Sequence, residues 1–103
     1  MEIRQFYNKN QFLFYDDKKI VFQSYDSIIA EINRKTGVLS LGADWDYSNT
    51  TRKHLYLFLS DYKYEIGADL YAVTFRRGFE DCKNKRQFIQ NLIDQKIIKI
   101  KEF

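Results

Sequence analysis

The chain has no proline, one cysteine, one histidine and no long apolar run, and each shortage removes a class of function. Without proline no strand or helix pattern is interrupted. No repeat, linker or low-complexity stretch divides the sequence either, so its 103 residues read as one small domain with a single core. The lone Cys82 cannot form an internal disulfide, and no secretory signal precedes Glu2 and Arg4, so the expected setting is a reducing cytoplasm. Asp81 and Lys83 flank that thiol with no histidine nearby, which fits a bystander rather than a nucleophile. Apolar runs of only a few residues leave no helix to cross a membrane. No catalytic signature, metal-ligand spacing or phosphate-cradling loop stands out, so the expectation is a protein that is not an enzyme and carries no cofactor and no metal.

Charge of one sign is scarce as well. Lys and Arg number 17 against 14 Asp and Glu, a net charge of +3. That is mild for a dedicated nonspecific nucleic-acid binder, and it has the wrong sign for an acidic mimic of DNA. Aromatic surface, by contrast, is abundant: nine Phe, eight Tyr and one Trp make up 17% of the residues, more than a core this small can hide. Several tyrosines are therefore expected at the surface, where the ring gives large contact area at low entropic cost.

The first forty residues read as β structure. Gln11 to Tyr15 and Ile20 to Tyr25 are β-prone runs separated by the polar hairpin candidate Asp16 to Lys19, and a further strand is readable at Glu2 to Tyr7 before a polar break at Asn8 to Asn10. Ile28, Ala30 and Ile32 alternate with Ile29, Glu31 and Asn33. Arg34 to Gly37 then supplies a turn before Val38 to Leu41, which predicts an antiparallel meander. After Gly42 the period changes to that of a helix, with Leu55, Phe58, Leu59 and Tyr62 on one face and Ser48, Asn49 and Thr50 able to cap it, predicting a helix over about Thr50 to Asp61. A second helix is expected from about Lys85 to Gln95, with Asn84 as its cap and Phe88, Ile89, Leu92 and Ile93 as its apolar face. Periodicity does not decide between strand and helix for Tyr64 to Phe79. The chain ends in Ile97 to Phe103, where Ile98 and Ile100 oppose Lys99 and Lys101 as on an edge strand. The predicted fold class is α+β: an N-terminal meander of about four strands packed with two helices, and a C-terminal edge strand.

Chemistry-bearing residues gather at the strand-to-helix junction, Leu41 to Leu55, which holds the unique Trp and the unique His. Asp44 and Asp46 would point the same way on an extended segment and could pair on a divalent cation, but loop aspartates more commonly bond their own backbone. Trp45 reads as a plug closing the corner, with an exposed anchor for a partner as the alternative. His54 lacks a partner at catalytic or zinc spacing and reads as a surface or boundary imidazole. Thr50, Thr51, Arg52 and Lys53 at a helix start could hold a phosphate or serve as caps and a solvated face. Further basic groups stand at Arg34-Lys35, Arg76-Arg77, Lys83, Lys85-Arg86 and the C-terminal lysines.

The run Ser24-Tyr-Asp-Ser-Ile-Ile-Ala-Glu-Ile32, together with Val38-Leu-Ser-Leu-Gly-Ala-Asp-Trp-Asp-Tyr-Ser-Asn-Thr-Thr-Arg-Lys-His-Leu-Tyr-Leu-Phe-Leu59, resembles a group of small uncharacterised proteins of bacterial phages and other mobile elements. The resemblance covers about a third of the chain and carries over no catalytic residue. It implies a stoichiometric action on host machinery, as in inhibitors of CRISPR nucleases and other defence systems. The expected function is thus non-catalytic binding of a host protein, with Trp45, Tyr47, Arg52, Lys53 and His54 as contact candidates. The alternative is a small nucleic-acid-binding accessory protein using basic and aromatic side chains.

Overall fold

Alternating apolar and polar residues organise most of the first 42 positions into strands. In the computed structural model, which describes residues 2–66 and 77–103, these are β1 (Glu2–Phe6), β2 (Asn8–Tyr15), β3 (Lys19–Ser24), β4 (Ser27–Asn33) and β5 (Leu39–Gly42). Each pairs antiparallel with the next. The chain then runs through α1 (Asn49–Asp61), a short helix α2 at 77–81 and α3 (Lys85–Asp94) to β6 (Lys99–Lys101), which lies parallel to β5. The return to the same sheet in a parallel sense needs a long crossover, and the helices provide it.

The α+β class expected from the sequence is present, but the meander has five strands rather than about four, and with the C-terminal strand the sheet has six. The miscount lies at the N-terminus, where Asn8 to Asn10 look like a polar break. The chain in fact reverses at Tyr7 alone, whose φ of 62° lets Phe6 and Asn8 face each other, so the polar triplet already belongs to β2. Predicted α1 and α3 match within one residue at each end. In the ambiguous stretch Tyr64 to Phe79, positions 67–76 lie outside the described residues, and its end joins α2.

One face of the sheet forms the core. Leu13, Phe22, Ala30 and Leu41 lie side by side across β2 to β5, with Ile20, Ile32 and Leu39 as a second row, all buried. Onto these rows α1 lays Leu55, Phe58 and Leu59 from its predicted stripe. Phe58 stacks on Phe22 at 5.4 Å between ring centroids, and Phe6 meets both rings edge-on. Burying each such side chain contributes about 1.5–3 kcal/mol, so this aromatic contact is what fixes the helix to the sheet.

Local polar bonds set the turns. Asp16 accepts from the backbone N–H groups of Lys18 and Lys19, and those bonds hold its carboxyl below the usual carboxylate range. Asn33 accepts from the N–H groups of Lys35 and Thr36, and Gly37 takes the positive φ of 73° that closes the same turn. Gly42 serves a different need, since a Cβ there would lie 2.6 Å from the Ile28 carbonyl oxygen. A larger residue would push β5 off β4 just where the chain leaves for the junction.

Candidate functional site at the strand-to-helix junction

Between Gly42 and α1 the chain makes two successive tight turns, in which the Trp45 N–H donates to the Gly42 carbonyl at 3.1 Å and the Tyr47 N–H to the Asp44 carbonyl at 3.0 Å. Ser48 then caps the helix: its Oγ accepts from the Thr51 N–H at 3.1 Å, satisfying one of the first-turn donors. These turns break the alternation of a strand, in which residues two apart would share a face. Trp45 goes inward and Tyr47 outward.

The five contact candidates are accordingly divided. Trp45 is 4% exposed and belongs to the core cluster, as a plug rather than a surface anchor. His54 is 7% exposed, so of its reading as a surface or boundary imidazole the surface half is set aside. The reason is visible in the helical period, because His54, Phe58 and Tyr62 fall at i, i+4 and i+8 on the packed side. Its Nδ1–H donates to the Thr50 carbonyl at 2.9 Å, a bond that anchors the ring within its own helix.

Arg52 is also engaged. Its guanidinium donates to the Asp46 carboxylate at 2.6 Å, to the Asp46 carbonyl at 3.2 Å and to the Asn49 side chain. From α3, Arg86 donates to the other Asp46 oxygen at 2.6 Å. Burial would raise the Asp46 pKa, but the two guanidinium groups outweigh it and hold the carboxyl below its ordinary range. Asp46 is thus a clip between the start of α1 and α3. Arg86 was legible only as one of several scattered basic groups, since its partner lies 40 positions away. Both carboxylate oxygens of Asp46 are taken up by arginines, and among the described residues no group of three potential ligands gathers for a metal ion.

What remains accessible is Tyr47, 81% exposed, together with Asp44 and Lys53. Tyr47 and Asp44 border a cleft of about 430 Å³ between the junction and the β3–β4 hairpin. Ser24, Ser27, Ser48, Thr50 and Thr51 give it a wall rich in hydroxyls, and Ile29 an apolar patch. Its other rim is Tyr25, 57% exposed, which sequence reading had not singled out. Tyr25 occupies the hairpin tip with φ at 53°, a left-handed conformation unfavourable for a bulky side chain. Two bonds hold it there: its N–H donates to the Asn10 carbonyl at 2.7 Å, and Gln23 Nε2 donates to its carbonyl at 2.7 Å. Backbone strain of this kind tends to collect at functional sites.

Lys53 faces away from this cleft. With Arg52, Tyr56, Phe79 and Lys85 it lines a shallower groove of about 610 Å³ along α1. Lys85 is committed there, donating to the Phe79 carbonyl at 2.9 Å with its ammonium 4.8 Å from the Phe79 ring centre. Lys53 makes no bond or ion pair among the described residues. The sequence-predicted residues thus serve two surfaces and an interior, with no single constellation.

The chain belongs to a family of unknown function, DUF8033, which its residues 1–71 match. That stretch contains the whole meander and α1, and with them every residue lining the tyrosine-rimmed cleft. No curated protein and no solved structure matches the chain. Among the described residues, no helix is long and apolar enough to cross a membrane.

Proposed function

We propose that the protein is a non-catalytic binding module that grips another protein through the cleft between Tyr25 and Tyr47. The supporting observation is the pairing of two exposed tyrosines across a hydroxyl-lined cleft, one of them held at a conformationally costly backbone position. Rigid aromatic rims with small hydroxyl groups between them suit a protein surface, because the rings supply area and the hydroxyls adapt to backbone donors and acceptors. The charge of the cleft argues in the same direction: its lining among the described residues holds the acidic Asp44 and neither lysine nor arginine, so no positive charge in the wall attracts phosphate there. That the partner is a host effector, and the protein a counter-defence factor of a phage or mobile element such as an anti-CRISPR protein, rests on the sequence resemblance alone.

The second reading is nucleic-acid binding along the other groove, where Lys53 and Lys85 stand beside Tyr56 and Phe79. Basic groups interleaved with aromatic ones suit a stacked single strand. One experiment separates the two. Protein captured by the immobilised chain from bacterial lysate is identified, purified and titrated against wild type and the Tyr25→Ala/Tyr47→Ala variant. The expected result is direct binding that weakens about tenfold or more in the double variant, as for interface anchors. A purified partner that binds both forms equally would remove the cleft from the reading. Recovery of nucleic acid alone, with affinity that falls steeply with salt and on Lys53→Ala, would put the second reading in its place.

A further inference from the structure

The two edges of the sheet are unlike. β6 offers three residues, two of them lysines, and Lys101 is held to Glu31 at 3.0 Å. Short, lysine-bearing edge strands discourage pairing with other chains. β1 has five residues and neither lysine nor proline, and among the described residues no strand pairs with its outer side. Its Glu2 to Gln5 stay in register with Tyr15 to Phe12, and the register shifts only between Gln5 and Phe6. Side chains over Glu2, Ile3 and Arg4 therefore alternate strictly. Ile3, 61% exposed, stands on the face away from α1 beside half-buried Phe14, which in turn is beside the buried Val21. Glu2 and Arg4 point to the helix side, where Arg4 donates to the Tyr62 hydroxyl at 3.2 Å. Next to them the Tyr7 hydroxyl donates to Asp61 at 2.9 Å, so this ribbon is tied to the end of α1 and its edge is preorganised.

We propose that β1 is a homodimer interface, on which β1 of a second copy adds antiparallel about a two-fold axis perpendicular to the sheet and centred on Ile3. Such an axis keeps like faces on the same side and therefore admits only registers centred on a residue. Centring on Ile3 sets Glu2 opposite Arg4 of the second copy, and Arg4 opposite Glu2 of the second copy. Centring on Glu2 or on Arg4 would instead place like charges face to face, which is destabilising across a strand pair. Charge complementarity thus selects both the occupant and one register. Ile3 then meets its counterpart and joins two Ile3–Phe14–Val21 rows into a continuous apolar stripe on the face away from α1.

The test is the oligomeric state of the full chain by sedimentation velocity. Wild type is expected to dimerise, while Glu2→Arg and Arg4→Glu each, alone, weaken association by about tenfold or more, because two attractive cross-strand pairs become two repulsive ones. Mixed in equal amounts, the two variants are expected to associate again, since one edge is then all cationic and the other all anionic. Both positions are exposed, and circular dichroism of each variant alone checks that it is folded. Ile3→Lys, a lysine at the axis, is expected to abolish the dimer independently of Glu2 and Arg4. Three results would overturn the interface: a monomer at concentrations up to about 1 mM, a dimer indifferent to all three substitutions, or folded charge variants that stay apart when mixed.

Discussion

Asp44 and Asp46, two residues apart, show how differently the two sides of the β5–α1 junction use the same residue types. On the inner side, Trp45 fills the corner, Asp46 binds two arginines and His54 bonds its own helix, so every distinctive group there has a structural partner. On the outer side, Asp44 and Tyr47 border a cleft, and among the described residues their side chains make no bond of the fold. A junction between strand and helix needs turn-forming acids, caps and a plug, and this alone collects residues that look catalytic. What can meet a ligand is the part left over once those bonds are assigned.

The comparison breaks first at Trp45. Truncating Trp45→Ala removes a buried indole from the core and should cost about 3–5 kcal/mol, read as a lowered midpoint in urea unfolding. A variant with an unchanged midpoint would mean that the indole is not the plug of the corner.

Asp46→Asn comes next in size. Leaving two arginines without their carboxylate should cost about 1–3 kcal/mol at neutral pH. The pH dependence has a definite sign. Because the folded-state pKa of Asp46 is lowered, its contribution is fully present above the unfolded carboxylate range, near about 4, and is lost as the pH falls through the lower folded value. Wild type and variant should therefore differ at pH 7 and converge by about pH 2, in parallel urea titrations. A gap that persists unchanged in acid would show that the arginine clip is not what the substitution removes.

Much of the inner side was readable beforehand, and the reasons are local. Ser48 and Asn84 cap helices because their side chains reach only to their own first turns, and the apolar stripe of α1 follows from the helical period. Trp45 as a plug was readable from its place between a strand and a helix. The Asp46–Arg86 bond was not, since it joins residues remote in sequence, and only the packing of α3 beside α1 brings them together. Nor was Gln11: alternation puts it inside β2, its residue type argues for outside, and it is buried with neither amide atom hydrogen-bonded among the described residues. Tyr25 illustrates a third kind of silence. Its importance lies in a positive φ and in the cleft beside it, and both are properties of the folded hairpin rather than of a tyrosine in a β-prone run.

The smallest expected effect on stability is the one that bears most on function. Tyr47→Ala alters a side chain that is almost wholly in water and bonded to nothing among the described residues, so its unfolding free energy should stay within about 0.5 kcal/mol of wild type. Set beside Trp45→Ala, this gives two aromatic truncations two residues apart that differ several-fold in cost. The contrast tests the division of the junction without any knowledge of the partner. If Tyr47→Ala instead destabilises as Trp45→Ala does, the outer ring is part of the fold, and the cleft loses one of the two rims on which its reading as a protein-binding surface depends. If it leaves the fold untouched, any loss of partner binding in the same variant reports on contact alone, because a folded, equally stable chain has nothing else to lose.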